Sequence, residues 1–117
     1  MRVRILTAIL LLTALTGAAY ADARSEAKEQ VEFGIAVAQK GLWKEALYRW
    51  ERATQIDPTY AAAFNDLAIG YEHEGMLEKA GAAYERALKL EPNNPMVRQN
   101  FELFKEIHDR TNQSQTP

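Results

Sequence analysis

From Asp22 onward, apolar residues recur at helical spacing in five stretches, and no stretch alternates apolar and polar as a half-buried strand would. The first runs from Ser25, an expected N-cap followed by Glu26 and Glu29, to Lys40-Gly41. Val31, Ile35 and Ala38 form one stripe on it, and Phe33, Gly34 and Val37 a second, so two of its faces are apolar. Gly41 is placed to take the left-handed conformation that closes a helix. A second helix, about Leu42 to Ile56, stops at Asp57-Pro58, because the residue before proline is pushed out of the α region. Thr59 is the expected cap of a third, which carries Ala61, Phe64, Leu67, Ala68 and Tyr71 and ends at Gly75. The fourth, about Met76 to Leu90, stops at Glu91-Pro92. Asn94 followed by Pro95 opens a fifth, with Met96, Val97, Phe101, Phe104 and Ile107 as its apolar stripe. The polar residues Thr111 to Pro117 are expected to be disordered.

Two of these stretches repeat each other. Gly41-Leu-Trp-Lys-Glu-Ala46 aligns with Gly75-Met-Leu-Glu-Lys-Ala80 at an offset of 34 residues. The same offset pairs Trp50 with Tyr84, Ala53 with Ala87, Ile56 with Leu90 and Asp57-Pro58 with Glu91-Pro92. Upstream it pairs Phe33 with Leu67, Gly34 with Ala68 and Val37 with Tyr71. A period of that length marks an array of helical hairpins. Ala46, Ala53, Ala80 and Ala87 are expected where helices cross closely, with Trp50 and Tyr84 filling the space they leave. Gly81 interrupts the fourth helix where the first unit has Leu47, an interruption that either admits a neighbouring side chain or is tolerated.

The N-terminus changes the picture. Met1-Arg-Val-Arg4 is basic, Ile5 to Leu15 is almost wholly apolar, and Thr16 to Ala21 ends in small residues with Ala19-x-Ala21. This is the layout of a secretory signal peptide cut between Ala21 and Asp22. An uncleaved anchor is the alternative, although the run is marginal for a span of about 20 residues. Cleavage removes Arg2 and Arg4 and leaves a mature chain four charges negative. Charges are otherwise balanced, with 14 Lys and Arg against 16 Asp and Glu in 117 residues, and they form no basic cluster suited to nucleic acid. Without Cys there is no disulfide, no Cys-ligated metal and no lipoprotein acceptor.

The residues from about Glu26 to Asp109 resemble the tetratricopeptide repeat family. In the second unit the family pattern falls on Phe64, Leu67, Ala68, Tyr71, Gly75, Ala80, Tyr84, Ala87 and Pro92. In the first it falls on Phe33, Gly34, Gly41, Ala46, Trp50, Ala53 and Pro58, departing at Gln30 and Val37, where a large apolar and an aromatic residue are usual. The resemblance implies an all-α, right-handed superhelical stack of two repeats, about 27–60 and 61–94, and a capping helix at about 95–110, within a domain spanning 22–110.

It also implies a concave groove lined by the first helix of each pair, where a partner's peptide or helix binds. By position that groove comprises Lys28, Val31, Ile35 and Gln39, then Asn65, Asp66, Ile69, Glu72 and His73, and Asn100 on the fifth helix. Some members hold a C-terminal carboxylate with cations and amides, but at those places stand Val31, Ile35, Asp66, Met96 and Asn100, which cannot supply that field. An apolar strip with an acidic end suits a segment carrying apolar anchors and a basic residue or two. Alternatively, Val31 and Ile35 pack against residues 22–25 or a neighbouring turn.

Catalysis is not expected. His73 and His108 have no metal-pairing partner at helical spacing, and no phosphate loop or activated nucleophile is present. Both histidines read as solvent-facing, and no cofactor is implied. Two readings follow: an exported, periplasmic or secreted adaptor binding a protein segment, or an assembly subunit that self-associates through the ends of the stack, bearing Gln30, Phe33 and Val37.

Overall fold

A computed structural model describes the backbone of residues 2–115 and the side chains of 17–115. The side chains of the basic and apolar parts of the expected leader, and the last two residues of the expected tail, lie outside the described residues. Five helices follow one another: α1 (Arg2–Gln39), α2 (Trp43–Ile56), α3 (Ala61–His73), α4 (Leu77–Leu90) and α5 (Pro95–Ser114). Helix α1 packs on α2 and α3 on α4, with α2 joining the two pairs and α5 resting on α4. This is the arrangement of a tetratricopeptide-type superhelical stack: two hairpins and a trailing helix.

The turns form where the pattern puts them. Gly41 and Gly75 adopt φ of +80° and +73°, which a Cβ would strain, and so release the chain from α1 and α3. The backbone N–H of Leu42 donates to Val37 O, and that of Met76 to Tyr71 O, giving the two turns the same closure. Asn94 caps α5, its side chain accepting from the N–H groups of Met96 and Val97 with Pro95 in the first turn.

Three expectations about helix ends are corrected. Helix α1 runs unbroken through Ser25, because the alanine-rich stretch before it continues the helix without a cap. Tyr60, not Thr59, occupies the N-cap of α3. Thr59 instead turns back, donating from its N–H (3.0 Å) and hydroxyl (2.6 Å) to Asp57 Oδ1. Helix α5 continues to Ser114 beyond Arg110; the Thr111 hydroxyl donates to Ile107 O, and the Ser114 hydroxyl to Thr111 O.

The core forms two clusters, the first spanning α1 to α3 and the second α3 to α5. Ala27, Val31, Ala46, Leu47, Trp50, Ala53, Ala63 and Leu67 form one cluster, and Ala68, Ala80, Ala83, Tyr84 and Phe104 the other. The alanines at helix crossings are fully buried, so backbones approach closely and the aromatic rings fill the gaps. Tyr84 stacks with Phe101, and both contact Phe104. Phe33, on the face bearing Gln30 and Val37, is 46% exposed, with the Arg49 guanidinium 4.2 Å from its ring centroid.

Asp57 ties α1 to the loop before α3. Arg24 Nε pairs with its Oδ2 at 2.5 Å, while the Arg24 guanidinium also reaches Thr59 and lies over the Tyr60 ring. Burial alone would raise the Asp57 pKa, but hydrogen bonds from Thr59 and Arg24 together with the Arg24 charge hold it below its ordinary value.

Candidate functional site

Between α1 and α3 lies an open cleft of about 270 Å³ lined by Ile35, Ala38, Gln39, Trp43, Trp50, Asp66 and Ile69. Four of the ten expected groove residues (Ile35, Gln39, Asp66 and Ile69) therefore meet in one place. Two hairpins of the same design bring them together: Ile35 and Ile69 are 34 residues apart and occupy corresponding turns of α1 and α3. The walls are apolar, and the two tryptophans stand edge to face with centroids 6.4 Å apart.

Asp66 is the charged group of the cleft. Burial pushes its pKa up to about 6, opposed by a hydrogen bond from the Asn65 amide at 3.4 Å. Among the described residues no Lys, Arg or His pairs with it. The cleft thus offers an apolar floor and a half-buried carboxylate whose counter-charge is not supplied by its surroundings.

The other expected groove residues sit elsewhere. Val31 is 5% exposed and belongs to the core, its carbonyl accepting from Trp50 Nε1 at 3.2 Å. Lys28 is exposed on α1. Asn65 is buried, and its side-chain oxygen accepts from the Asn100 amide at 3.1 Å, so this pair joins α3 to α5. Glu72 accepts from the Tyr84 hydroxyl; burial and that carboxylate raise the phenol's pKa. His73 stacks on Trp43 at 3.8 Å and faces a separate depression beside Gly41 and Glu74.

His108 is not solvent-facing as expected. It is half-buried against Phe104 with nearly parallel rings, and its Nδ1 is buried. Met96 and Ile107, assigned to the apolar stripe of α5, are instead 54% and 53% exposed. The pattern did not reveal Ala38 and Trp43 as cleft walls. Ala38 had a signal in sharing the apolar stripe of Ile35 on α1, whereas Trp43 had only its position, opening α2 directly behind the Gly41 turn.

Residues 61–94 match the family model for the tetratricopeptide repeat. The chain is 27% identical over 73 residues to the chloroplastic tetratricopeptide repeat domain-containing protein PYG7 of Arabidopsis thaliana, covering 62% of this chain and 24% of that protein. It is 34% identical over 60 residues to the probable UDP-N-acetylglucosamine–peptide N-acetylglucosaminyltransferase SPINDLY of Solanum lycopersicum, covering 51% of this chain and 6% of that one. It is 44% identical over 45 residues to the uncharacterized protein ycf37 of Pyropia yezoensis, covering 38% of this chain and 25% of that one. The chain therefore spans a quarter or less of the length of these curated relatives. Sequence match and helix arrangement together support a tetratricopeptide-repeat helical domain.

Proposed function

We propose that this domain is a non-enzymatic adaptor that binds a segment of another protein on the groove face of α1 and α3. The observation that carries the reading is the open cleft itself, where Ile35, Ile69 and two tryptophans surround an Asp66 carboxylate without a cation. An apolar side chain in the cleft would exclude water from the tryptophans, and a neighbouring Lys or Arg would supply the missing counter-charge. Matches to tetratricopeptide proteins support interaction as the general kind of work.

The adaptor acts outside the cytoplasm in this proposal, after removal of residues 1–21. The basic start, apolar run and Ala19-x-Ala21 support that location. Among the described residues, no helix is long and apolar enough to cross a membrane. Arg24, which pins α1 to Asp57, lies after the cut and would be retained.

Selection of displayed random peptides on the full chain tests the reading. Enrichment of an apolar residue next to Lys or Arg, lost with Ile69→Asn, would support it; enrichment that ignores Ile69 would refute it. Self-association is the second reading, favoured by the exposure of Phe33 and Tyr48 on the first hairpin. A monomer mass that stays constant across a dilution series would exclude it.

A further inference from the structure

One face of the second hairpin lacks groups that the first supplies from its own chain. On the first, the Arg49 guanidinium lies 4.2 Å from the Phe33 ring centroid and 5.5 Å from that of Tyr48, and Glu45 neutralises it at 3.0 Å. At the 34-residue offset Glu45 is matched by Lys79, Tyr48 by Ala82 and Arg49 by Ala83, while Arg52 is matched by Arg86. A cation thus replaces the carboxylate, and two methyl groups replace the two large side chains.

An open depression of about 320 Å³ lies there, walled by Phe64 and Tyr71 of α3 and by Lys79, Ala82, Ala83 and Arg86 of α4. It shares no residue with the cleft between α1 and α3. Its two cations stand over its aromatic walls: Lys79 Nζ is 5.7 Å from the Tyr71 ring centroid, and the Arg86 guanidinium 5.7 Å from that of Phe64. Neither forms an ion pair among the described residues. Arg86 donates to the Pro58 carbonyl at 3.4 Å. Glu51, the carboxylate that α2 brings to this face, accepts from the Tyr71 hydroxyl at 2.9 Å and pairs with neither cation.

We infer that this depression is a second binding site, and that its occupant is an acidic segment of a partner protein carrying one aromatic or large aliphatic side chain between carboxylates. The occupant supplies what this hairpin lacks relative to the first. Its apolar side chain takes the space over Ala82 and Ala83 that Tyr48 and Arg49 fill on the first hairpin, and it removes Phe64 and Tyr71 from water. Lys79 and Arg86 lie two turns apart on α4, about 10.5 Å along its axis, so carboxylates on either side of that anchor each meet a cation. A basic segment would be repelled. The site does not depend on the groove reading, whose ligand carries the opposite charge.

Amide NMR of the isotope-labelled full chain, titrated with a short synthetic peptide holding Phe between paired acidic residues, tests this. Its controls are the same peptide with Ser for Phe and the same peptide with Lys for the acids; decanoate is the small-molecule probe. The acidic Phe peptide is expected to shift the amides of Ala82, Ala83 and Tyr71 and to leave those of Ile35 and Ile69 in place. Lys79→Glu and Ala82→Tyr restore the first hairpin's residues at exposed positions, so the core stays intact. Each should weaken the peptide by about fivefold or more at an unchanged melting temperature. If the Ser peptide binds as well as the Phe peptide, the contact is charge alone and the apolar anchor is overturned. Equal binding of the Lys peptide at these amides overturns the acidic occupant. If decanoate shifts them and the acidic peptide does not, the ligand is a free amphiphilic anion and the protein occupant falls. A silent Lys79→Glu, or peptide shifts confined to Ile35 and Ile69, overturns the site and leaves the cleft as the place of binding.

Discussion

The indole of Trp50 lies so close to Gly34 that a methyl group at that glycine would fall 2.4 Å from Nε1. Trp50 also donates to the Val31 carbonyl and presses its six-membered ring on Gly70 of α3, so one side chain holds the first hairpin to the second. Gly34→Ala should destabilise the fold by about 1–3 kcal/mol through overpacking. Gly81→Ala should do the opposite. There a Cβ would meet Phe104 at 3.5 Å, an ordinary contact, and removing a helix-interior glycine stabilises by about 0.5–1 kcal/mol. Urea unfolding of both variants measures the contrast, and a shift of the same sign in both would contradict it.

Trp50→Ala removes the ring from that junction. A loss of about 3–5 kcal/mol is expected in equilibrium unfolding, because the space left lies between helices that cannot collapse without moving the hairpins. An unchanged melting temperature would contradict the role assigned to the indole.

Arg24 and Asp57 make the fold acid-sensitive. The Asp57 pKa is held below its ordinary value, so its stabilisation is present above about pH 4 and lost as pH falls through the lower folded value. Arg24 is partly exposed, so Arg24→Gln should cost about 1 kcal/mol or less at neutral pH. That cost should shrink in acid. Thermal melts at neutral pH and at the acid end of the folded range read the difference.

Asp66 acts with the opposite sign. Its folded pKa of about 6 lies above the unfolded 3.8, so the fold carries no penalty below the unfolded value and the full penalty above the folded one. Two units correspond to about 3 kcal/mol, an upper bound since the group is only half-buried. Asp66→Asn should therefore raise the melting temperature more at high pH than at low. A gain independent of pH would show that burial of the carboxylate is not its cause.

The hairpins were legible because their causes are local. Gly41 and Gly75 stop helices by their own backbone freedom, Asp57-Pro58 and Glu91-Pro92 by sterics, and alanines at helix crossings recur at the repeat period. What depends on neighbours was not. Val31 and Phe33 sit two residues apart on a helix with two apolar faces, and the pattern left both a groove and a packing role open for Val31; in the structure Val31 is buried and Phe33 is open. The covered face depends on where α2 and α3 lie, which residue type alone does not state. In the cleft, Ile35, Gln39, Asp66 and Ile69 were readable from their places in the repeat. Trp43 enters from a second helix, and its part depends on how the hairpins cross.

The central claim is that a partner segment occupies the cleft between α1 and α3. Its most direct measurement is site-specific photocrosslinking in the native cell, with the photoreactive residue placed at Gln39 in the cleft or at the exposed Glu85 of α4. The account expects an adduct from Gln39 to a different protein, lost with Ile69→Asn and absent from Glu85. Adducts only to a second copy of the chain, or equal adducts from both positions, would contradict it.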